Sequence, residues 1–178
     1  GIIMHNSHLK TRKLVFYGLM VAYSLALYLL EQFIPNPLIA LFPGAKLGLS
    51  NIITLLCLLN FGFKDTFKIL TVRVILSSIF AGAATVLLYS IAGGYLSLIG
   101  MYIAIKIKGF SKVGISVFGA IMHNIGQLLV ASAMIENLTM MTYLPIMLGA
   151  SLVTGIFIGI VVNFTDPLFK KHSLRFNL

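Results

Sequence analysis

Charged residues are so sparse in this chain that they cut it into long uncharged runs. No Asp, Glu, Lys or Arg falls between Lys13 and Glu31, Lys46 and Lys64, Arg73 and Lys106, Lys112 and Glu136, or Glu136 and Asp166. Only 10% of the residues are charged and 59% are hydrophobic, against about 25% charged in an ordinary soluble domain. Such a chain cannot cover a core with polar surface, whereas a bilayer can serve as its solvent. The 16 Gly residues suit the same setting, because small residues let membrane helices approach closely. The expected fold class is an all-α integral membrane protein, a six-transmembrane-helix bundle forming a single membrane domain over residues 1–178. No internal repeat and no soluble domain is visible.

The expected spans are residues 14–34, 47–63, 65–81, 86–105, 113–135 and 143–165. The fourth is placed by length. A turn at Gly93-Gly94 would leave only residues 95–105 before Lys106, too few at ~1.5 Å each to cross a core of ~30 Å. The turn is therefore placed at residues 82–85, with Gly93-Gly94 inside the fourth helix. The first run is followed by no secretory cleavage pattern and is read as retained.

Charge asymmetry orients the spans. Lys10, Arg12, Lys13, Lys64, Lys68, Lys106, Lys108, Lys112, Lys170, Lys171 and Arg175 fall at one set of ends, and only Lys46, with Glu31 and Glu136, at the other. The positive-inside rule makes the first set cytoplasmic. The result is a multi-pass protein of the cell (cytoplasmic) membrane with both termini in the cytoplasm. The net charge of +9 thus reads as a topology signal in contact with the lipid bilayer, not as a nucleic-acid footprint. Cys57 is alone, which excludes a disulfide framework and a Cys-based metal site. No cofactor and no metal is expected, since three of the four His residues (His5, His8 and His172) lie near the termini.

Residues 35–46 are the longest outer connection. Pro35, Pro37, Pro43 and Gly44 keep it from being helical, while Leu38, Ile39, Leu41 and Phe42 make it too apolar for a freely solvated loop. It either folds over the outer mouth of the bundle or dips into the interface.

Candidate binding residues are the polar groups stranded in apolar runs. Arg73 sits near the centre of the third span, where an Arg costs about 2.5–3.5 kcal/mol on insertion scales. It should face the interior and meet a partner or ligand, unless it snorkels or pairs with carbonyls. His123, Asn124 and Gln127 are spaced to form one stripe on the fifth helix, lining a cavity or bonding neighbouring helices. Lys46 and Asn51 flank a helix start that would favour an anion near the outer face. Together these residues predict a small-molecule ligand with a polar or anionic head. Gly18, Ala22 and Ala26 on the first helix, and Ser151, Gly155 and Gly159 on the sixth, form smooth faces suited to helix contact.

Several motifs recur in one bacterial family: Pro43-Gly44-Ala45-Lys46-Leu47-Gly48, Ser50-Asn51-Ile52, Phe61-Gly62-Phe63-Lys64, Arg73-Val74, Ala92-Gly93-Gly94 and His123-Asn124-Ile125-Gly126-Gln127. Over nearly its whole length the chain resembles that family, labelled heptaprenyl diphosphate synthase component I or Gx transporter. The family in turn looks like the substrate-binding S components of energy-coupling factor (ECF) transporters. That resemblance implies six helices with cytoplasmic termini and a ligand taken from outside under the loop joining the first two helices. It also implies that an Ala-xxx-Ala motif, here Ala22 and Ala26, docks a transmembrane coupling subunit driven by two ATPases.

The leading expectation is a membrane-embedded substrate-binding subunit for uptake of a small molecule, S-component-like. The alternatives are a non-catalytic membrane subunit (component I) of heptaprenyl diphosphate synthase, serving isoprenoid-quinone synthesis, and a structural subunit of a membrane complex. An enzyme is not expected. Prenyl synthases hold magnesium on aspartate-rich motifs, and the two Asp here, Asp65 and Asp166, are far apart. An ATP-binding Gly-x-x-x-x-Gly-Lys-Ser/Thr motif is absent as well.

Overall fold

The computed structural model describes residues 2–40 and 46–175. These form six α-helices: α1 Ile2–Leu30, α2 Asn51–Phe61, α3 Phe63–Ala81, α4 Ala84–Lys106, α5 Lys112–Met134 and α6 Leu144–Arg175. Short 3-10 turns at Glu31–Phe33, Pro37–Ala40 and Leu138–Tyr143 punctuate the connections. The segments Ser7–Phe33, Ala84–Lys106, Lys112–Met134 and Leu138–Ser173, which hold most of α1, α4, α5 and α6, are long and apolar enough to cross a membrane. Helix α3 falls short of that standard because Lys64, Asp65, Lys68 and Arg73 lie within it. The expected roof residues 41–45, including Leu41, Phe42, Pro43 and Gly44, lie outside the described residues.

The second helix departs most from the sequence expectation of 47–63. Helix α2 has only 11 residues, about 16 Å at ~1.5 Å per residue. Gly48 has a φ of 89° and turns the chain before the helix begins. Every residue from Asn51 to Leu58 is buried, so α2 is the hub of the bundle, touched by α1, α3, α4, α5 and α6. A helix apolar on all sides belongs in such a position. At its far end Gly62, at φ 80°, is the single residue between α2 and α3.

Helix α3 ends at Gly82, whose left-handed φ of 65° caps it through an N–H bond to the Ser78 carbonyl. Helix α4 therefore carries Gly93 and Gly94 inside it. Ser111 caps α5 by accepting from the Gly114 N–H at 3.1 Å. Helix α6 runs beyond the expected residue 165, through Pro167 to Arg175. Asp166 anchors that extension: it meets Lys112 Nζ at 2.7 Å and Lys170 Nζ at 3.0 Å and accepts from Asn60 Nδ2 at 2.9 Å. One buried carboxylate thus ties α2, α5 and α6 together. At the same end of the bundle, Asp65 pairs with Lys13 at 3.6 Å and links α1 to α3.

Small residues set the close helix contacts. A Cβ on Gly155 would lie 2.5 Å from the Val117 Cα, and one on Gly159 would lie 2.6 Å from the Val113 Cα. The Ser116 hydroxyl donates to the Gly155 carbonyl at 2.7 Å across the same contact. Ser151, Gly155 and Gly159 are therefore the α6 face that packs on α5. Gly18, Ala22 and Ala26 on α1 are instead exposed, while Met20, Ser24, Tyr28 and Glu31 form the buried face of the same segment.

Candidate functional site

Polar side chains from five parts of the chain meet in the half of the bundle that holds Gly82. Tyr28 comes from the end of α1 and Glu31 from the 3-10 turn that follows it, Lys46, Gly48 and Ser50 from the entry to α2, Arg73 from α3, Ser90 from α4, and His123 and Gln127 from α5. They enclose an inner cavity of about 10 Å³, the space of roughly one water. Beside it lies a larger vestibule of about 220 Å³, walled by Gln32, Asn36, Ile39, Ala81 and Val86. Glu31 and Lys46 line both spaces.

Two cations flank one aromatic ring. Lys46 Nζ lies 4.4 Å and Arg73 Cζ 5.4 Å from the centroid of Tyr28, within cation–π range. The Tyr28 hydroxyl is 3.1 Å from Ser90 Oγ, which fixes the ring against α4. Lys46 lies in the connection ahead of α2. Burial pushes its ammonium below the usual lysine range, with Glu31 opposing that shift.

Gly93 and Gly94 open the room these side chains occupy. A Cβ on Gly93 would come within 2.8 Å of the His123 ring, and one on Gly94 within 3.4 Å of an Arg73 terminal nitrogen. The His123 ring is also pressed by Gly48, where an added Cβ would lie 3.3 Å away. Gln127 Nε2 donates to His123 Nε2 at 2.9 Å.

Glu31 fills the position where the sequence suggested an anionic ligand beside Lys46. Its Oε1 accepts from the Gly48 N–H at 2.7 Å, and the amides of Leu47 and Leu49 also turn toward it. The chain's own carboxylate thus satisfies the irregular backbone before α2. Asn51 is buried below this turn with its amide against Gly48 and does not line the inner cavity.

The expected stripe of His123, Asn124 and Gln127 divides. His123 and Gln127 face the cavity with Arg73. Asn124 turns to α6, donating to Ser151 Oγ at 2.7 Å and to the Met147 carbonyl at 3.2 Å. It bonds two helices and does not line the inner cavity. Consecutive helix residues point ~100° apart, which turns Asn124 away from His123. Sequence reasoning missed Tyr28, Glu31 and Ser90. The available signal was an acid three residues after a Tyr on one face of an otherwise apolar helix. Among the described residues no group of His, Cys, Asp or Glu could hold a metal ion.

Fold and site together define an all-helical protein, with several helices long and apolar enough to cross a membrane, built around a buried polar pocket. The family model described as heptaprenyl diphosphate synthase component I matches residues 20–165, and the chain belongs to that family. No curated protein and no solved structure matches it.

Proposed function

We propose that the chain is a non-catalytic membrane subunit that holds a small molecule with an anionic or strongly polar head in the pocket around Arg73. In this reading six segments cross the membrane and both termini are cytoplasmic. Residues 47–50 complete the second crossing as irregular backbone, tolerated because it is enclosed in protein and its amides meet Glu31. The observation that carries the reading is the buried Arg73 guanidinium. It is 2% exposed with Nε unpartnered, in a setting where fixed charge acts strongly on a ligand.

The family match supports one role for such a subunit, the membrane component of heptaprenyl diphosphate synthesis beside a separate catalytic chain. Nothing like an aspartate-rich magnesium site is assembled by Asp65 and Asp166, each held in lysine pairs. A second role, S-component-like uptake with a coupling subunit and two ATPases, is supported by the exposure of Ala22 and Ala26.

Mass spectrometry of small molecules carried through purification tests the pocket. Arg73→Ala is expected to lose the bound molecule and keep the fold, and Arg73→Lys to recover part, because an ammonium lacks the planar fork. An unchanged load in Arg73→Ala overturns the reading. Affinity purification then separates the roles. Recovery of a prenyl synthase catalytic chain supports the first, and recovery of a coupling subunit with ATPases supports the second.

A further inference from the structure

Far from the polar pocket, the start of α3 meets the end of α4 in a ladder of aromatic rings edged by lysines. Phe63 and Phe67 lie one turn apart on one face of α3, with centroids 6.1 Å apart. Phe63 meets Tyr102 of α4 at 4.9 Å, and Phe67 meets Tyr95 at 5.2 Å. The Tyr95 hydroxyl is 2.7 Å from Thr71 Oγ1, so the inner end of the ladder has its hydroxyls paired. Lys64 and Lys68 stand beside the two Phe rings, and these four residues line a shallow groove of about 280 Å³. Lys106 lies 5.2 Å above the Tyr102 ring, which brings a third ammonium to the same edge.

The cations at this corner exceed the acids. Asp65 is shared by Lys13 at 3.6 Å and Lys68 at 3.8 Å. Of the other three acids in the chain, Asp166 is held by Lys112 and Lys170, Glu31 faces the polar pocket, and Glu136 follows α5 at the opposite end. Among the described residues Lys64 has no acid within ion-pair distance. Lysines at this end serve topology wherever they fall. An apolar groove between two of them is not needed for that purpose. Phe67 is 43% exposed, and Val72, Ile75 and Ile79 continue an exposed apolar face along α3. The groove therefore lies on the outside of the bundle, where its occupant arrives sideways from the bilayer.

We propose that this groove is a binding site for an anionic phospholipid. The phosphate sits between Lys64 and Lys68, and one acyl chain lies along Phe63 and Phe67. In the orientation proposed above the lipid belongs to the cytoplasmic leaflet, whose anionic lipids attract juxtamembrane lysines. The site is independent of the pocket around Arg73, and its lipid preference reads the same whichever way the chain is inserted.

Native mass spectrometry of the purified full chain in detergent tests it, with phosphatidylglycerol and phosphatidylcholine of identical chains titrated side by side. Phosphatidylglycerol is expected to bind at least about tenfold more tightly, since each lysine near an anionic headgroup contributes about fivefold. Lys64→Gln should lose about fivefold for phosphatidylglycerol and leave phosphatidylcholine unchanged. Lys171→Gln removes the same charge from α6, a helix that among the described residues makes no contact with α3, and should stay within about twofold of wild type. Phe67→Ala should weaken both lipids and keep the preference between them. Lys64 and Phe67 are exposed, so these variants keep the fold. Equal affinity for the two lipids overturns the proposal. So does an equal loss in Lys64→Gln and Lys171→Gln, the mark of diffuse attraction without a site. Unchanged binding of both lipids in Phe67→Ala overturns the groove as the seat of the chain. Farnesyl diphosphate displacing phosphatidylglycerol at equal concentration overturns the choice of a phospholipid.

Discussion

The Glu31 carboxylate accepts a hydrogen bond from the backbone N–H of Gly48 at 2.7 Å, joining the end of α1 to the entry of α2 across the connection that separates them. Both residues are buried. Losing the acceptor leaves backbone donors unmet in a protein interior. Glu31→Ala is therefore expected to destabilise the chain by about 1–3 kcal/mol, read as a lower thermal midpoint in detergent. Glu31→Gln retains an acceptor and should lose less. An unchanged midpoint in Glu31→Ala would mean that the entry to α2 is held by other contacts.

The adjacent glycines of α4 should respond differently to a methyl group. Gly93→Ala drives a Cβ to 2.8 Å from the His123 ring, which Gln127 and Gly48 hold in place. Gly94→Ala meets the ends of Leu70 and Arg73 at 3.3–3.4 Å, where small shifts suffice. Overpacking should cost Gly93→Ala about 1–3 kcal/mol and Gly94→Ala clearly less. Equal midpoints for the two variants would contradict the seating of His123 on Gly93.

Asn124 and His123 are neighbours in sequence with separable consequences. Asn124→Ala removes the bonds to Ser151 and Met147 and should cost about 0.6–2 kcal/mol of stability, with ligand load unchanged. His123→Ala should reduce ligand load. Loss of ligand from a folded Asn124→Ala protein would place that residue back in the binding machinery.

Topology is testable at the turn between α3 and α4. In a Cys57→Ala background, Ala84→Cys should react with an impermeant thiol reagent added outside intact cells, and Ser111→Cys only after permeabilisation. The opposite pattern would invert the proposed orientation.

The outer face of α1 gives a last test. Ala22→Trp and Ala26→Trp should leave the thermal midpoint within about 0.5 kcal/mol of wild type, as surface changes do. They should abolish recovery of a partner that docks there. A large loss of stability would show that these alanines pack within the protein.

How much could be read from sequence depended on the range of the interactions involved. The boundary between α3 and α4 follows from local arithmetic, because residues 95–105 are too few to cross. Arg73 stands out because its surroundings are apolar on both sides. The start of α2 was hidden: residues 47–63 read as one apolar run, and what shortens the helix is the turn at Gly48, held by Glu31 far back in the chain. Likewise the spacing of 123, 124 and 127 fixes relative angles but not which neighbour each side chain meets. The partner of Asn124 sits on α6, and no local pattern on α5 points to it.

The single-residue joint at Gly62 bears on how the chain enters a membrane. Helix α2 is too short to partition into lipid as an independent segment, and the next helix carries Arg73 at its middle. Joined with almost no slack, the two form a hairpin whose halves each insert poorly alone. In the six-span reading proposed above, the pair would therefore enter the bilayer as one unit and be enclosed once α4 and α5 follow it.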